Sequence, residues 1–221
     1  MITRLSIFDC DGTLVDSGGT IHRALRTTFD AHGIDCPPRA ETKKVIGLSL
    51  DQAFASLVPD GDHPALSRTY RDTFIAMRAE RMVEEPLYDG IVEALDALTS
   101  DGWLLGVATG KSLRGLDHCL RAHGLADRFV TLQTADHHPS KPHPAMVLAA
   151  MAEAGTSPEQ TVFIGDTAWD MGAARSAGCG AIGVGWGYHD EAELRDSGAH
   201  EVALDPAELA GFAADWSGGI R

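Results

Sequence analysis

Ile2-Thr3-Arg4-Leu5-Ser6-Ile7-Phe8 runs directly into Asp9-Cys10-Asp11-Gly12-Thr13-Leu14-Val15-Asp16-Ser17. This is a hydrophobic strand that ends on two carboxylates, two residues apart, just before a glycine turn. The C-terminal end of a strand is where an open α/β sheet binds its ligands, and Gly12 permits the backbone reversal that brings both acids over one pocket. Such a pair offers a nucleophile and an acid/base partner for phosphoryl transfer. Paired aspartates also occur in ordinary turns, so the reading depends on the rest of the chain.

Three further parts of such a site follow in order. Trp103-Leu104-Leu105-Gly106-Val107-Ala108 runs into Thr109-Gly110, a hydroxyl and a flexible amide suited to phosphoryl oxygens. Lys141, in Ser140-Lys141-Pro142, supplies a cation. Thr161-Val162-Phe163-Ile164 runs into Gly165-Asp166-Thr167-Ala168-Trp169-Asp170, a second acidic pair before a helix. Taken singly, Lys141 reads as a surface lysine, Asp166 or Asp170 as a helix cap or first-turn acid, and Thr109-Gly110 as a plain strand end. Their joint order along an α/β pattern overturns those readings. Together the four resemble the motifs of the haloacid dehalogenase superfamily, specifically its phosphatase branch, and the resemblance covers almost the whole chain.

At 221 residues the chain has room for one core domain and a small insertion. With 44% hydrophobic residues it has the material to bury roughly 70% of its unfolded surface. No apolar run approaches the ~20 residues of a membrane span and no signal peptide is evident, so a soluble, cytoplasmic protein is expected. The net charge of −14 disfavours nucleic acid and anionic membranes as partners. It also repels phosphate esters, so a small phosphorylated metabolite must be drawn in by local cations. Cys10, Cys36, Cys119 and Cys179 form no CxxC pair and read as reduced thiols, neither zinc ligands nor a disulfide framework. Cys10 should point away from the pocket, since successive strand side chains face opposite ways.

After Ser17 the apolar period changes to four, with Ile21, Leu25 and Phe29 ahead of Gly33, which predicts a helix capped by Asp16 or Ser17. Further helices are expected near Asp51 to Val58 and Ala65 to Val83, so residues 17–84 are mainly helical. From Pro86 onward, helices near Gly90 to Ser100, Ser112 to His123, Pro144 to Gly155 and Ala168 to Ala177 alternate with strands near Phe129 to Leu132 and Ala181 to Val184. The fold class is therefore α/β: a Rossmann-like, doubly wound parallel sheet with an inserted all-helical domain. The core takes residues 1–16 and 85–221, and disorder is expected only at Trp216 to Arg221. The insert matches the four-helix cap of one superfamily class, hinged near Val15 to Gly19 and Glu84 to Tyr88, where it can close and exclude water.

The resemblance, read with the residue chemistry, implies a mechanism. Asp9 attacks phosphorus to form an aspartyl phosphate; Asp11 protonates the leaving oxygen and later deprotonates water. Thr109, the Gly110 amide and Lys141 hold the transferring group. Oxygen ligands from Asp9, the Asp11 carbonyl and Asp166 suit Mg²⁺, while Asp170 orients waters or Lys141. His137, His138 and His143 flank Lys141 but lack the spacing of a metal centre. Gly47-Leu48-Ser49-Leu50, Gly110-Lys111 and Gly185-Trp186-Gly187-Tyr188 resemble the phosphoglycolate phosphatase-like subgroup, which favours a phosphoglycolate-like substrate. Lys43, Lys44, Arg23 and His22 are the candidates for recognising it.

The alternatives are a sugar-phosphate mutase, although His22 falls one residue later than that branch's cap histidine, and a pyrophosphatase or nucleotidase. Asp11 argues against a dehalogenase, and a phosphonatase would need Lys43 or Lys44 for Schiff-base chemistry. A silent phosphate-binding module would lack a motif, and none is missing. The oligomeric state is not legible in the sequence.

Overall fold

The structure is a computed structural model that describes residues 2–218. Strand β1 (Arg4–Phe8) is followed by four helices: α1 (Gly18–Ala31), α2 (Arg39–Lys43), α3 (Leu50–Leu57) and α4 (His63–Ala79). The chain then alternates: α5 (Ile91–Ser100), β2 (Trp103–Thr109), α6 (Leu113–Ala122), β3 (Thr131–Thr134), α7 (Ala145–Ala154), β4 (Thr161–Gly165), α8 (Ala168–Ala177) and β5 (Gly180–Val184). It closes with α9 (Glu191–Asp196), β6 (Glu201–Ala203) and α10 (Leu209–Gly218). All six strands are parallel, in the order β3-β2-β1-β4-β5-β6.

Parallel strands covered on both faces carry apolar residues toward both, and β1 and β4 do so, with Leu5, Ile7 and Phe8 and Val162, Phe163 and Ile164 all buried. Phe8, Val107, Ile164 and Ile182 point into one cluster with Ile91, Leu95 and Leu116. Leu5, Ile7, Phe163 and Ala181 point into the opposite one with Met146, Val147 and Met171. The chain crosses from one side of β1 to the other between β3 and β4, so the C-terminal ends of β2, β1 and β4 frame the switch point where such sheets bind ligands.

Helices α1 to α4 carry a separate core of Leu25, Phe29, Phe54 and Leu66. Two linkers join them to the sheet. Asp16 N–H donates to the Pro86 carbonyl (2.8 Å) and Tyr88 N–H to the Leu14 carbonyl (3.1 Å), so the linkers run antiparallel and brace each other. Thr20 Oγ1 seals them by donating to the Glu84 carbonyl at 2.8 Å.

Of the expected disordered tail, residues 219–221 lie outside the described residues. Trp216, by contrast, sits in α10, packs on the sheet core and donates Nε1–H to the Pro158 carbonyl. Among the described residues, no helix is long and apolar enough to cross a membrane.

Candidate active site

Asp9 leaves β1 fully buried, its N–H donating to the Ile164 carbonyl (2.9 Å) and its Oδ1 accepting from Cys10 N–H (2.7 Å). The backbone then turns at Gly12 (φ +86°), where a Cβ would overlap Asp166. The turn brings Thr13 Oγ1 within 3.0 Å of Asp166 Oδ1, while Tyr188 N–H donates to Asp166 Oδ2 at 2.9 Å. Lys141 arrives from the loop after β3 with no exposed side-chain surface; its Nζ lies 3.0 Å from Asp9 Oδ2 and donates to Asp170 Oδ1 at 2.6 Å. The other Asp170 oxygen accepts from Thr167 N–H and Oγ1, completing the capping box of α8. Asp170 is thus capping-box partner of Thr167 and lysine holder at once: the structural reading of this residue and the chemical one are the same geometry.

Ligand-capable oxygens of Asp9, Asp166 and Asp170 all lie within 4.8 Å of one another. Burial, with Asp170 and Asp11 adding repulsion against the pull of Lys141, pushes the Asp9 carboxyl up to about 7. Burial and the same crowding, from Asp170 and Asp9, push Asp166 well above the carboxylate range. Burial opposes the charge of Lys141, but Asp170 and Asp9 outweigh it and hold the amine protonated. One cation among three buried acids leaves the cluster short of positive charge. Asp9 Oδ2 also lacks an aligned donor despite its nearness to Lys141. A buried, oxygen-only, under-neutralised set is what a hard divalent cation takes, and these residues fit one.

Asp11 stands apart from the cluster. Its Oδ1 accepts from Ser17 Oγ (2.5 Å) and lies 2.8 Å from Lys111 Nζ, which reaches Glu85 Oε1 at the same distance. Burial works against the Lys111 charge, yet Asp11 and Glu85 together hold its pKa well above the ordinary value. Ser17 does occupy the N-cap position of α1, but its side chain makes no capping bond; the hydroxyl is spent on the acid instead. Neither this role nor the part of Lys111 is apparent from local sequence. The one available signal was Lys111 lying a single glycine beyond Thr109.

Thr109 is buried at the end of β2, with Oγ1 accepting from Lys111 N–H. A Cβ on Gly110 would collide with the carbonyls of Gly47 and Leu48, because the loop between α2 and α3 sits on the strand ends. Ser49 N–H donates to Ser140 Oγ (2.8 Å) and Trp169 Nε1–H to the Lys44 carbonyl (3.2 Å). A Cβ built on Gly47 would stand 3.7 Å from Asp9 Oδ2. The helical insert is therefore closed over the acids.

Beneath it lies a cavity of about 720 Å³, bounded by Asp11, Gly110 and Lys111 on the sheet side. None of the four residues singled out for substrate recognition lines it. His22 Nδ1 meets Thr42 Oγ1, Arg23 lies 4.0 Å from Glu84, Lys43 stacks over the Tyr188 ring, and Lys44 pairs with Glu41. Of the loop histidines, His138 reaches the cavity, while His143 Nδ1 accepts from Ala145 N–H. Among the described residues, no histidine or cysteine joins a metal-capable group. Cys10, two residues past the end of β1, points away from the pocket, with Sγ 4.0 Å from Cys119 Sγ in the core, and all four cysteines are free.

An open parallel sheet with a helical lid, two separately held acids, a buried lysine and a strand-end threonine define an enzyme that transfers phosphoryl groups. The haloacid dehalogenase-like hydrolase model matches residues 6–184, and the chain belongs to that family. A Nitrosococcus oceani protein named "Phosphoglycolate phosphatase" is 31% identical, over 86% of this chain and 88% of its own length. The Dickeya dadantii protein named "Probable phosphatase IndB" is 35% identical, over 95% and 93%. The crystal structure of a haloacid dehalogenase-like family hydrolase from Streptococcus pneumoniae superimposes with a TM-score of 0.84 at 26% identity, covering 95% of this chain and 98% of that one. Within the family the chain falls in the phosphoglycolate phosphatase-like subgroup, and it is a phosphoric monoester hydrolase.

Proposed function

We propose that this enzyme is a Mg²⁺-dependent phosphatase that hydrolyses small phosphomonoesters through an aspartyl phosphate on Asp9. The observation that carries the reading is the separation of the two strand-end acids: Asp9 shares the basin of Lys141, Asp166 and Asp170, while Asp11 is held by Ser17 and Lys111. Separate partners hold the two acids apart, so that one can face phosphorus while the other faces the leaving oxygen.

In the first displacement an Asp9 oxygen bonds to phosphorus, the ester P–O bond breaks, and Asp11 gives its proton to the departing oxygen. In the second, water attacks phosphorus, the bond to Asp9 breaks, and the water proton passes to Asp11. Lys141, Thr109 and the Gly110 amide hold the phosphoryl oxygens through both steps. Asp9, Asp166 and the Asp11 carbonyl would hold Mg²⁺, with Asp170 beside them; the bound ion supplies charge that lets a carboxylate and a phosphoryl group approach. The helices of residues 17–84 act as the lid that excludes water, and Gly47 admits it close to the nucleophile.

Family likeness favours phosphoglycolate as the first substrate to try. The mutase alternative would need a cap histidine at the site, and His22, one residue away from that branch's position, meets Thr42 Oγ1. The test is phosphate release, with Mg²⁺ present, from p-nitrophenyl phosphate, phosphoglycolate, hexose 1-phosphates, nucleoside monophosphates and pyrophosphate. Isomerised sugar phosphate without release would favour the mutase, and no release from any of them would sink the phosphatase reading.

A further inference from the structure

Above Asp11 the cavity is far larger than a two-carbon acid needs. At about 720 Å³ it falls within the roughly 300–1,000 Å³ of pockets that take drug-sized ligands. Its lid side is formed largely by Leu25, Ile46, Leu48, Tyr70, Phe74 and Ile75. Two of these are rings already locked in place. Phe74 lies 5.3 Å from Tyr70, Tyr70 packs edge-on against Phe54 at 6.2 Å, and Phe54 against Phe29 at 5.8 Å. The aromatic series thus runs from the core of the insert out to the cavity wall, where the partly buried Tyr70 and Phe74 rings line it. Burial pushes the Tyr70 hydroxyl pKa up, and Lys111, Asp11 and Glu85 all act on it, so this ring stands on the acid/base side of the site. Arg71, Arg78 and Arg114 open on the same cavity; arginines only donate hydrogen bonds, so a partner edge there must accept them.

We infer that the leaving group of the natural phosphomonoester carries a planar aromatic or heteroaromatic ring, which stacks on the Tyr70–Phe74 ledge with an acceptor-bearing edge toward the arginines. The inference rests on the phosphatase reading and names the substrate class for it. A small carboxylate would leave the ledge uncovered. Lys111, the cation beside Asp11, is already shared between Asp11 and Glu85. A flat ring covers the apolar wall and gains the stacking preference of aromatic pairs.

The experiment compares wild type, Phe74→Ala and Phe74→Leu with Mg²⁺ on five esters. Three carry rings: 1-naphthyl phosphate and a nucleoside 5′-monophosphate, from different sources, and p-nitrophenyl phosphate, whose activated leaving group also checks activity; two are acyclic, phosphoglycolate and glycerol phosphate. In wild type, at least one of the first two should exceed phosphoglycolate in kcat/KM, and which of them does so identifies the source. Phe74→Ala should lower kcat/KM for that ester about tenfold, the scale of a lost hydrophobic pocket contact, chiefly through KM, and leave the acyclic esters within about twofold. Phe74→Leu keeps bulk without a ring and should fall between. Phosphoglycolate as the best substrate, or an equal loss on all esters, overturns the ring assignment while leaving the phosphatase standing. A wild-type enzyme inert even to p-nitrophenyl phosphate overturns both.

Discussion

Removing the charge of Asp9 should stabilise the metal-free protein, by an amount that depends on pH. The Asp9 carboxyl is fully buried and its pKa is raised from 3.8 to about 7. An acid whose folded-state pKa is raised stays protonated in the folded chain while the unfolded chain ionises. Its contribution is therefore fully present below pH 3.8 and is lost as pH climbs through about 7. A gap of about three pH units, at ~1.4 kcal/mol each, makes the loss about 4 kcal/mol. Asp9→Asn keeps the shape, cannot ionise and escapes that loss. In guanidinium titrations with EDTA, the variant should match wild type near pH 4 and exceed it by several kcal/mol at pH 7.5. Mg²⁺ should then favour wild type, because binding to the folded state alone stabilises it. A wild-type-minus-variant difference that does not change between pH 4 and 7.5 would refute the account of Asp9 as a charge crowded by burial and by its acidic neighbours. The same variant, folded, should turn over no substrate.

Asp11→Asn should slow phosphate release by about 10² or more, and less so with p-nitrophenolate, which departs without a proton; an equal loss for good and poor leaving groups argues against the acid role. EDTA should abolish activity and Mg²⁺ restore it, with Ca²⁺ a poor substitute because its looser shell misplaces the nucleophile; full activity under chelation contradicts the metal assignment. Lys111→Met leaves Asp11 and Glu85 without their shared cation and should cost about 3–5 kcal/mol in urea denaturation, part of it recovered when Glu85→Gln is added; an unchanged midpoint would show the network is idle. Lys44 is exposed and paired with Glu41, so Lys44→Ala should keep kcat/KM within about twofold on every ester tested, and a substrate-selective loss would place its amine in the cavity after all.

The chemistry of this chain is legible in its sequence where a strand ends, because there the backbone alone decides where a side chain goes. β1, β2 and β4 are short apolar runs with unmistakable ends, and Asp9, Thr109 and Asp166 sit on or next to those ends. The last part of the fold is less legible for the same reason in reverse: β6 is three residues long with an exposed glutamate at its start, and α10 mixes alanine and glycine with little periodicity. α2, at five residues, is too short for a four-residue repeat to show. Helix α8 shows a third case, since Asp170 completes its capping box by holding Thr167 with one oxygen and holds Lys141 with the other; a local rule and a chemical one point to the same residue there.

What the sequence does not reveal is direction across the insert. Lys43 and Lys44 are adjacent charges, yet one stacks on Tyr188 and the other pairs with Glu41 in solvent, and neither outcome is encoded within a helical turn of them. Ser17 likewise stands where a helix cap belongs, but its hydroxyl finds a stronger acceptor in Asp11 once the Gly12 turn has folded back. A neutral N–H at a helix start can be satisfied by water, whereas a partly buried carboxylate needs every donor it can reach. The acid therefore outcompetes the helix for the serine, and through Lys111 and Glu85 it is tied to the linker that carries the lid. That linkage makes the leaving-group side of the site a property of the closed molecule, assembled from residues 11, 17, 85 and 111. No single motif contains it, which is why a reading confined to motifs finds Asp9 and the metal-capable acids but not the residues that hold Asp11.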